Sequence, residues 1–189
     1  MGIAAGNWVS AHVKLVRELG RGGMGTVWVG HDSRFDREVA VKFISPGLLE
    51  EHPDLVKRFA REAKAAAQLR SPHVVQIFDH GQTEQGLPYM VMELLEGESL
   101  GDRIRLRGPQ TAAETSVVIS QVAKALGEAH RRGVVHRDIK PDNIFLLAGE
   151  DDELFVKVLD FGIAKRSTTL SGQAGLTATG SLLGTPEYM

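Results

Sequence analysis

Cysteine is absent from this chain of 189 residues. Disulfides and cysteine-ligated zinc are therefore excluded, and a reducing compartment is compatible with the composition. Neither sign of charge is in excess: 22 Lys and Arg stand against 24 Asp and Glu. No general basic bias supports a nucleic-acid partner. Long apolar runs are missing too, so no segment of the sequence is expected to span a bilayer. Met1 to Trp8 lacks a basic stretch followed by an apolar one and does not read as a secretory signal. Gly2 has no Ser or Thr at the spacing a myristoylation site needs. There is no internal repeat. What is present, 42% hydrophobic and 24% charged residues, suffices for one globular domain or two small lobes.

The first half reads as strands. His12 to Leu19, Thr26 to His31 and Glu38 to Ile44 alternate apolar and polar residues. Pro46 and Gly47 break the third. Leu55, Phe59, Ala66 and Leu69 recur at helical spacing across Asp54 to Leu69, and Pro72 stops that helix. Val74 to His80 and Tyr89 to Glu93 read as a hairpin. Beyond Glu96-Gly97 the pattern becomes helical. Thr111 and Glu114 form a capping-box signature, Val118, Val122, Ala125 and Ala129 continue inward, and Gly133 ends the run. Short strands at Ile144 to Leu147 and Val156 to Leu159 flank a polar turn at Gly149 to Glu153. After Phe161, Ser, Thr and Gly dominate without periodicity, which reads as a loop.

Four groups of residues carry chemistry. The string His136-Arg137-Asp138-Ile139-Lys140-Pro141-Asp142-Asn143 places a carboxylate, a cation and a carboxamide on one short loop. Phosphoryl transfer needs that set: a base for a hydroxyl, positive charge for phosphate and an oxygen ligand for magnesium. Gly20, Gly22 and Gly25 allow backbone N–H groups to approach phosphates. Alone, their spacing equally fits a hairpin turn. It also fits a dinucleotide fingerprint, but that needs a helix directly after the glycines, and Val27-Trp28-Val29 is strand material. Lys42 shares one face of its strand with Ala40 and Ile44 and requires a partner if buried, although an isolated case more often faces water. Glu62 falls in the apolar stripe of the first long helix, where a stripe-margin glutamate reaching solvent is the ordinary reading. Together, Lys42 and Glu62 explain each other as an ion pair. Asp160-Phe161-Gly162 follows an apolar strand, a suitable position for a metal-holding carboxylate.

In this order and spacing, the motifs from Arg17 onward resemble a eukaryotic-type Ser/Thr protein kinase domain, in particular its bacterial branch. Arg58-Phe59-Ala60-Arg61-Glu62-Ala63 and Tyr89-Met90-Val91-Met92-Glu93 look like that branch as well. The resemblance implies an α+β, bilobal fold: an antiparallel β lobe with one helix, and a partial α-helical lobe. It divides the chain into an extension at 1–11, an N-lobe at 12–92, a hinge at 93–95 and a partial C-lobe at 96–189.

The resemblance also implies roles. Asp138 is the expected base, Lys140 meets the transferred phosphate and favours Ser/Thr acceptors, and Lys42 paired with Glu62 holds nucleotide phosphates. Asn143 and Asp160 correspond to the magnesium ligands, with manganese as an alternative ion. Leu19, Gly20, Gly22, Gly25, Val27, Ala40, Glu93, Leu95 and Phe145 are the expected ATP contacts, with Met92 as gatekeeper. His136 and Phe161 fit the hydrophobic spine. Arg137 implies control by phosphorylation of Thr177 and Thr179, with Ser181 a weaker candidate, and Thr185 resembles a threonine contacting the catalytic aspartate. The implied partners are ATP, a protein with a Ser or Thr acceptor, and a second copy for autophosphorylation; no nucleic acid is implied. The implied location is cytoplasmic.

The family pattern continues with Ala-Pro-Glu and further helices, whereas this sequence stops at Met189. A chain of 189 residues alone is expected to be marginal, because its long helix loses a packing partner. Two rivals follow: a nucleotide-binding module without transfer, and a small-molecule phosphotransferase of related fold. Intact Lys42, Asp138, Asn143 and Asp160 oppose the first. Lys140 and Gly184-Thr185-Pro186-Glu187 oppose the second.

Overall fold

The structure is a computed structural model that describes residues 2–23, 25–148 and 154–161. The polar turn at Gly149 to Glu153, the loop after Phe161, and Thr177, Thr179, Ser181 and Thr185 lie outside the described residues.

The alternating segments form strands β1 (Val13–Gly22), β2 (Gly25–Asp32) and β3 (Arg37–Ile44). With β4 (Ile77–Gln82) and β5 (Pro88–Glu93) they make one antiparallel sheet in the order β1-β2-β3-β5-β4. Period-2 alternation sorts the sheet into two faces. Val39, Val41, Phe43 and Val91 pack outward with Trp28 and Tyr89, whereas Ala40, Ile44, Met90 and Met92 pack inward. The segment read as an extension helps to cover the outer face. Val9 is buried there, and Gly6 and Asn7 exchange backbone hydrogen bonds with Leu15.

A short helix α1 (Pro46–Glu51) begins where a strand break was read, because proline at the first helical position needs no N–H partner. Helix α2 (Leu55–Ala66) packs Phe59, Ala63 and Ala66 into the inward core and also buries Leu55. Its last turn tightens through Gln68 N–H to Ala65 O and Leu69 N–H to Ala66 O, so Leu69 is buried just beyond the helix.

The second half contributes β6 (Gly97–Ser99), α3 (Leu100–Arg107), α4 (Ala112–Arg131), a 3-10 turn at Pro141–Asn143, β7 (Ile144–Ala148) and β8 (Leu154–Val158). The last two strands pair with β6 in a three-stranded sheet. The capping box forms as expected: Glu114 N–H donates to Thr111 Oγ1 at 3.2 Å, and Thr111 N–H to Glu114 Oε2 at 2.9 Å. Gly133, at φ 71°, ends α4 with a hydrogen bond to His130. Val118, Val122, Ala125 and Ala129 join the inward core, which runs unbroken from β3 and α2 to β7 and β8. At the rear, Val158 N–H donates to His73 O at 2.8 Å and Val75 N–H to Val158 O at 3.1 Å. These bonds tie the two sheets together.

Candidate active site

The cleft between the sheets gathers most of the residues that sequence singled out. β8 delivers Asp160 from below. Its backbone takes φ 50°, a left-handed conformation uncommon for a non-glycine residue and one that recurs at functional positions. β3 delivers Lys42 from above, and Lys42 Nζ donates to Asp160 Oδ2 at 2.6 Å. Lys42 thus has Asp160 as an ion-pair partner across the cleft. On α2 the fully buried position is Ala63, and Glu62 beside it is half-buried.

The loop after α4 is held by its own polar groups. His136 is 2% exposed, and its Nε2–H donates to Leu159 O at 2.7 Å while Nδ1 accepts from Asp138 N–H at 3.2 Å. Burial pushes the imidazole below its ordinary value, so it is neutral and makes both bonds. Its ring lies 4.7 Å from that of Phe161, centre to centre. Arg137 turns the chain at φ 64°. Asn143 Nδ2 then donates to Asp138 O at 2.8 Å and to Asp138 Oδ2 at 3.1 Å. Leu159 N–H donates to Asn143 O at 2.9 Å, which registers the loop against the residue preceding Asp160. Asp138 and Asn143 are thus hydrogen-bonded to each other and, through Leu159, held beside Asp160, which Lys42 reaches from the other sheet.

Asp160 offers a carboxylate, and the amide oxygen of Asn143 is free of the hydrogen bonds that occupy its nitrogen; both are hard oxygen donors. Among the described residues no group of three or more His, Cys, Asp or Glu could hold a metal ion. Magnesium is commonly held by one or two carboxylates together with substrate phosphates, which the Asp160 and Asn143 oxygens fit. At the glycine-rich turn a strand follows the glycines, as expected, not a helix. A Cβ on Gly20 or Gly22 would meet no atom within 4 Å, so the turn leaves open space. Gly25 has another reason: at φ 146° a side chain there would collide with the Phe43 carbonyl. Val27, Leu95 and Ala40 belong to or pack on the inward core beside buried Met92, while Phe145 is half-buried and Leu19 exposed.

Three features were not read from sequence. Gln121 on α4 clamps β8, donating from Nε2 to Leu154 O at 2.8 Å and accepting from Val156 N–H at 2.7 Å. Its signal was a polar residue beside the inward stripe. Asp142 is met by Arg105 of α3 at 3.3 Å and sits against Gly101, where a Cβ would strike its carboxylate. Glu93 takes Lys157 Nζ at 2.7 Å, a partner 64 residues away that no local pattern announces.

Comparison with known proteins agrees with this geometry. The model for the protein kinase domain matches residues 13–189. The chain therefore belongs to the protein kinase domain family. It is 46% identical over 176 residues to the serine/threonine-protein kinase Pkn1 of Myxococcus xanthus, covering 93% of this chain and 24% of that protein. It is 39% identical over 184 residues to PknB of Mycobacterium tuberculosis, covering 96% and 28%. The chain spans about a quarter of the length of these relatives. The crystal structure of the M. tuberculosis PknI kinase domain superposes with a TM-score of 0.75 at 31% identity, covering 86% of this chain and 62% of that one.

Proposed function

We propose that this chain carries the catalytic centre of an ATP-dependent serine/threonine protein kinase, which moves the γ-phosphate of ATP to a Ser or Thr hydroxyl of a protein. The observation that carries the reading is the Asp138–Asn143 pair, held through Leu159 beside Asp160, with Lys42 at 2.6 Å from Asp160.

Asp138 Oδ accepts the hydroxyl proton as the oxygen attacks, and the Asn143 amide keeps that carboxylate turned toward the acceptor. Lys140, on the same loop, supplies positive charge to the phosphoryl group in flight. Lys42 exchanges Asp160 for nucleotide phosphates when these enter. Glu62 of α2 is the carboxylate that would then pair with Lys42. Asn143 and Asp160 would hold magnesium, which neutralises charge on the phosphates when bound. Leu19, Val27, Ala40, Leu95 and Phe145 bracket the adenine, with backbone groups of Glu93 to Leu95 along its edge. The kinase activates by phosphorylation of Thr177 and Thr179 between two copies, with Arg137 receiving the added phosphate. It acts in the cytoplasm, where ATP is supplied.

The test is transfer from radiolabelled ATP to a generic basic protein, with Asp138→Asn in parallel. The expected result is phosphoserine and phosphothreonine at a rate that falls about 10²- to 10⁴-fold in the variant. ATP binding without transfer by the unaltered protein would overturn the reading in favour of a non-catalytic nucleotide module. Loss of Lys42, by Lys42→Met, should raise the ATP requirement in the same assay.

A further inference from the structure

The side chain of Glu93 has a function separate from any backbone contact to adenine. One oxygen, Oε1, accepts from the backbone N–H of Gln76 at 2.6 Å and from Lys157 Nζ at 2.7 Å. Glu93 N–H donates in return to Gln76 O at 3.0 Å, so the end of β5 is closed on the residue preceding β4. Lys157 belongs to β8, in the other sheet. The two side chains are 14% and 22% exposed for Lys157 and Glu93, which shields the pair from solvent and salt.

Lys157 stands directly across from Phe145 in the β7–β8 ladder. Directly opposed residues of an antiparallel pair project from the same face, with Cβ atoms about 5 Å apart. The stem of Lys157 therefore runs beside Phe145, and its ammonium reaches Glu93 at the opposite edge of the cleft. Phe145 and the Glu93 segment belong to different sheets and are joined by a chain of some fifty residues. The Lys157–Glu93 contact therefore spans from the strand pair that carries Phe145 to the sheet that carries Val27 and Ala40.

We propose that Glu93 and Lys157 are positioning residues that hold the adenine slot at its working width. The inference rests on the kinase reading above, because it takes Phe145 as one face of that slot and the sheet of Val27 and Ala40, which β5 joins, as the other. If the slot is held ready, binding ATP avoids the cost of ordering two independent elements. Breaking the pair then weakens binding of the base without touching the groups that transfer phosphate.

The test is a double-mutant cycle in the whole protein with Lys157→Met, which keeps the stem, and Glu93→Gln, which keeps an acceptor for Gln76. Each is expected to raise the KM for ATP about 3- to 10-fold, the range of a half-buried ion pair. Lys157→Met should leave kcat within about 2-fold, and the double variant should be no worse in KM than either single one. Lys157→Arg keeps the charge and is expected to restore the KM. An unchanged or lowered KM in Lys157→Met, a fall in kcat alone, or single effects that multiply in the double variant would overturn the proposal. Amide exchange at Gln76 and Val158 gives a readout that needs no nucleotide. Because Glu93→Gln keeps an acceptor for Gln76, the Val158 amide is the one expected to exchange faster in each single variant, and its unchanged protection would reject the pair. If the unaltered protein binds no ATP, the kinase reading fails while this exchange measurement still decides whether the contact joins the sheets.

Discussion

At the scale of single residues, His136 makes the site sensitive to acid. Its buried imidazole gives one N–H to Leu159 O and takes one from Asp138, and a second ring proton would oppose Asp138 N–H. The folded value lies below the ordinary one, chiefly through burial. An unfolded chain takes up its proton near pH 6.5 while the folded one still resists it. The stabilisation is therefore complete above that pH and is lost as pH falls toward the folded value. The thermal midpoint is expected to drop between pH 7 and pH 5, and His136→Phe should flatten that part of the slope. The variant should also lose about 1–3 kcal/mol at pH 7, because the Leu159 carbonyl and Asp138 amide lose a buried partner. Calorimetry across the pH series measures both. The motif around His136 was legible in sequence as a string of chemical types. The direction of its hydrogen bonds was not, because Leu159 lies 23 residues further on.

At the scale of elements, β8 is held by more than its ladder. Gln121 reaches from α4 and satisfies the Val156 N–H and Leu154 carbonyl on the free edge of the strand. Gln121→Met keeps the volume and leaves both groups without that partner. The expected cost is about 1–3 kcal/mol, read as a lower midpoint in urea with an unchanged slope. Transfer activity should fall as well, since Asp160 follows two residues after the strand. The elements themselves were largely readable. Alternation in Val39 to Ile44 separated two faces that the structure assigns to two different cores. The capping box at Thr111 and the inward residues of α4 stand where the pattern put them. The seam of α2 was misread because Glu62 was taken as an intruder at an apolar position. Ala63, one residue on, fills that position, and helical spacing alone does not choose between neighbours when one is a small alanine. Helix α1 was missed because proline signals a strand end and a helix start alike.

At the scale of the whole molecule, one inward core joins the two sheets, so nucleotide binding at their junction should stabilise the entire fold. Adding ATP with magnesium at about 100 times its dissociation constant is expected to raise stability by about 2.7 kcal/mol. Scanning fluorimetry would show this as an upward shift of one transition. Chelating the metal should remove most of the shift, because the phosphates would then face Asp160 without compensation. Lys42→Met should remove it too. A shift indifferent to both changes would place the nucleotide elsewhere.

The hydrogen bonds from Val158 N–H to His73 O and from Val75 N–H to Val158 O meet at one residue of β8, two residues before Asp160. Two bonds that share a residue restrain separation there more than turning about it. Any relative movement of the two sheets is therefore expected to pivot at Val158, with the smallest displacement beside Asp160. Amide exchange would show this as protection at Val158 that outlasts protection at amides far from it.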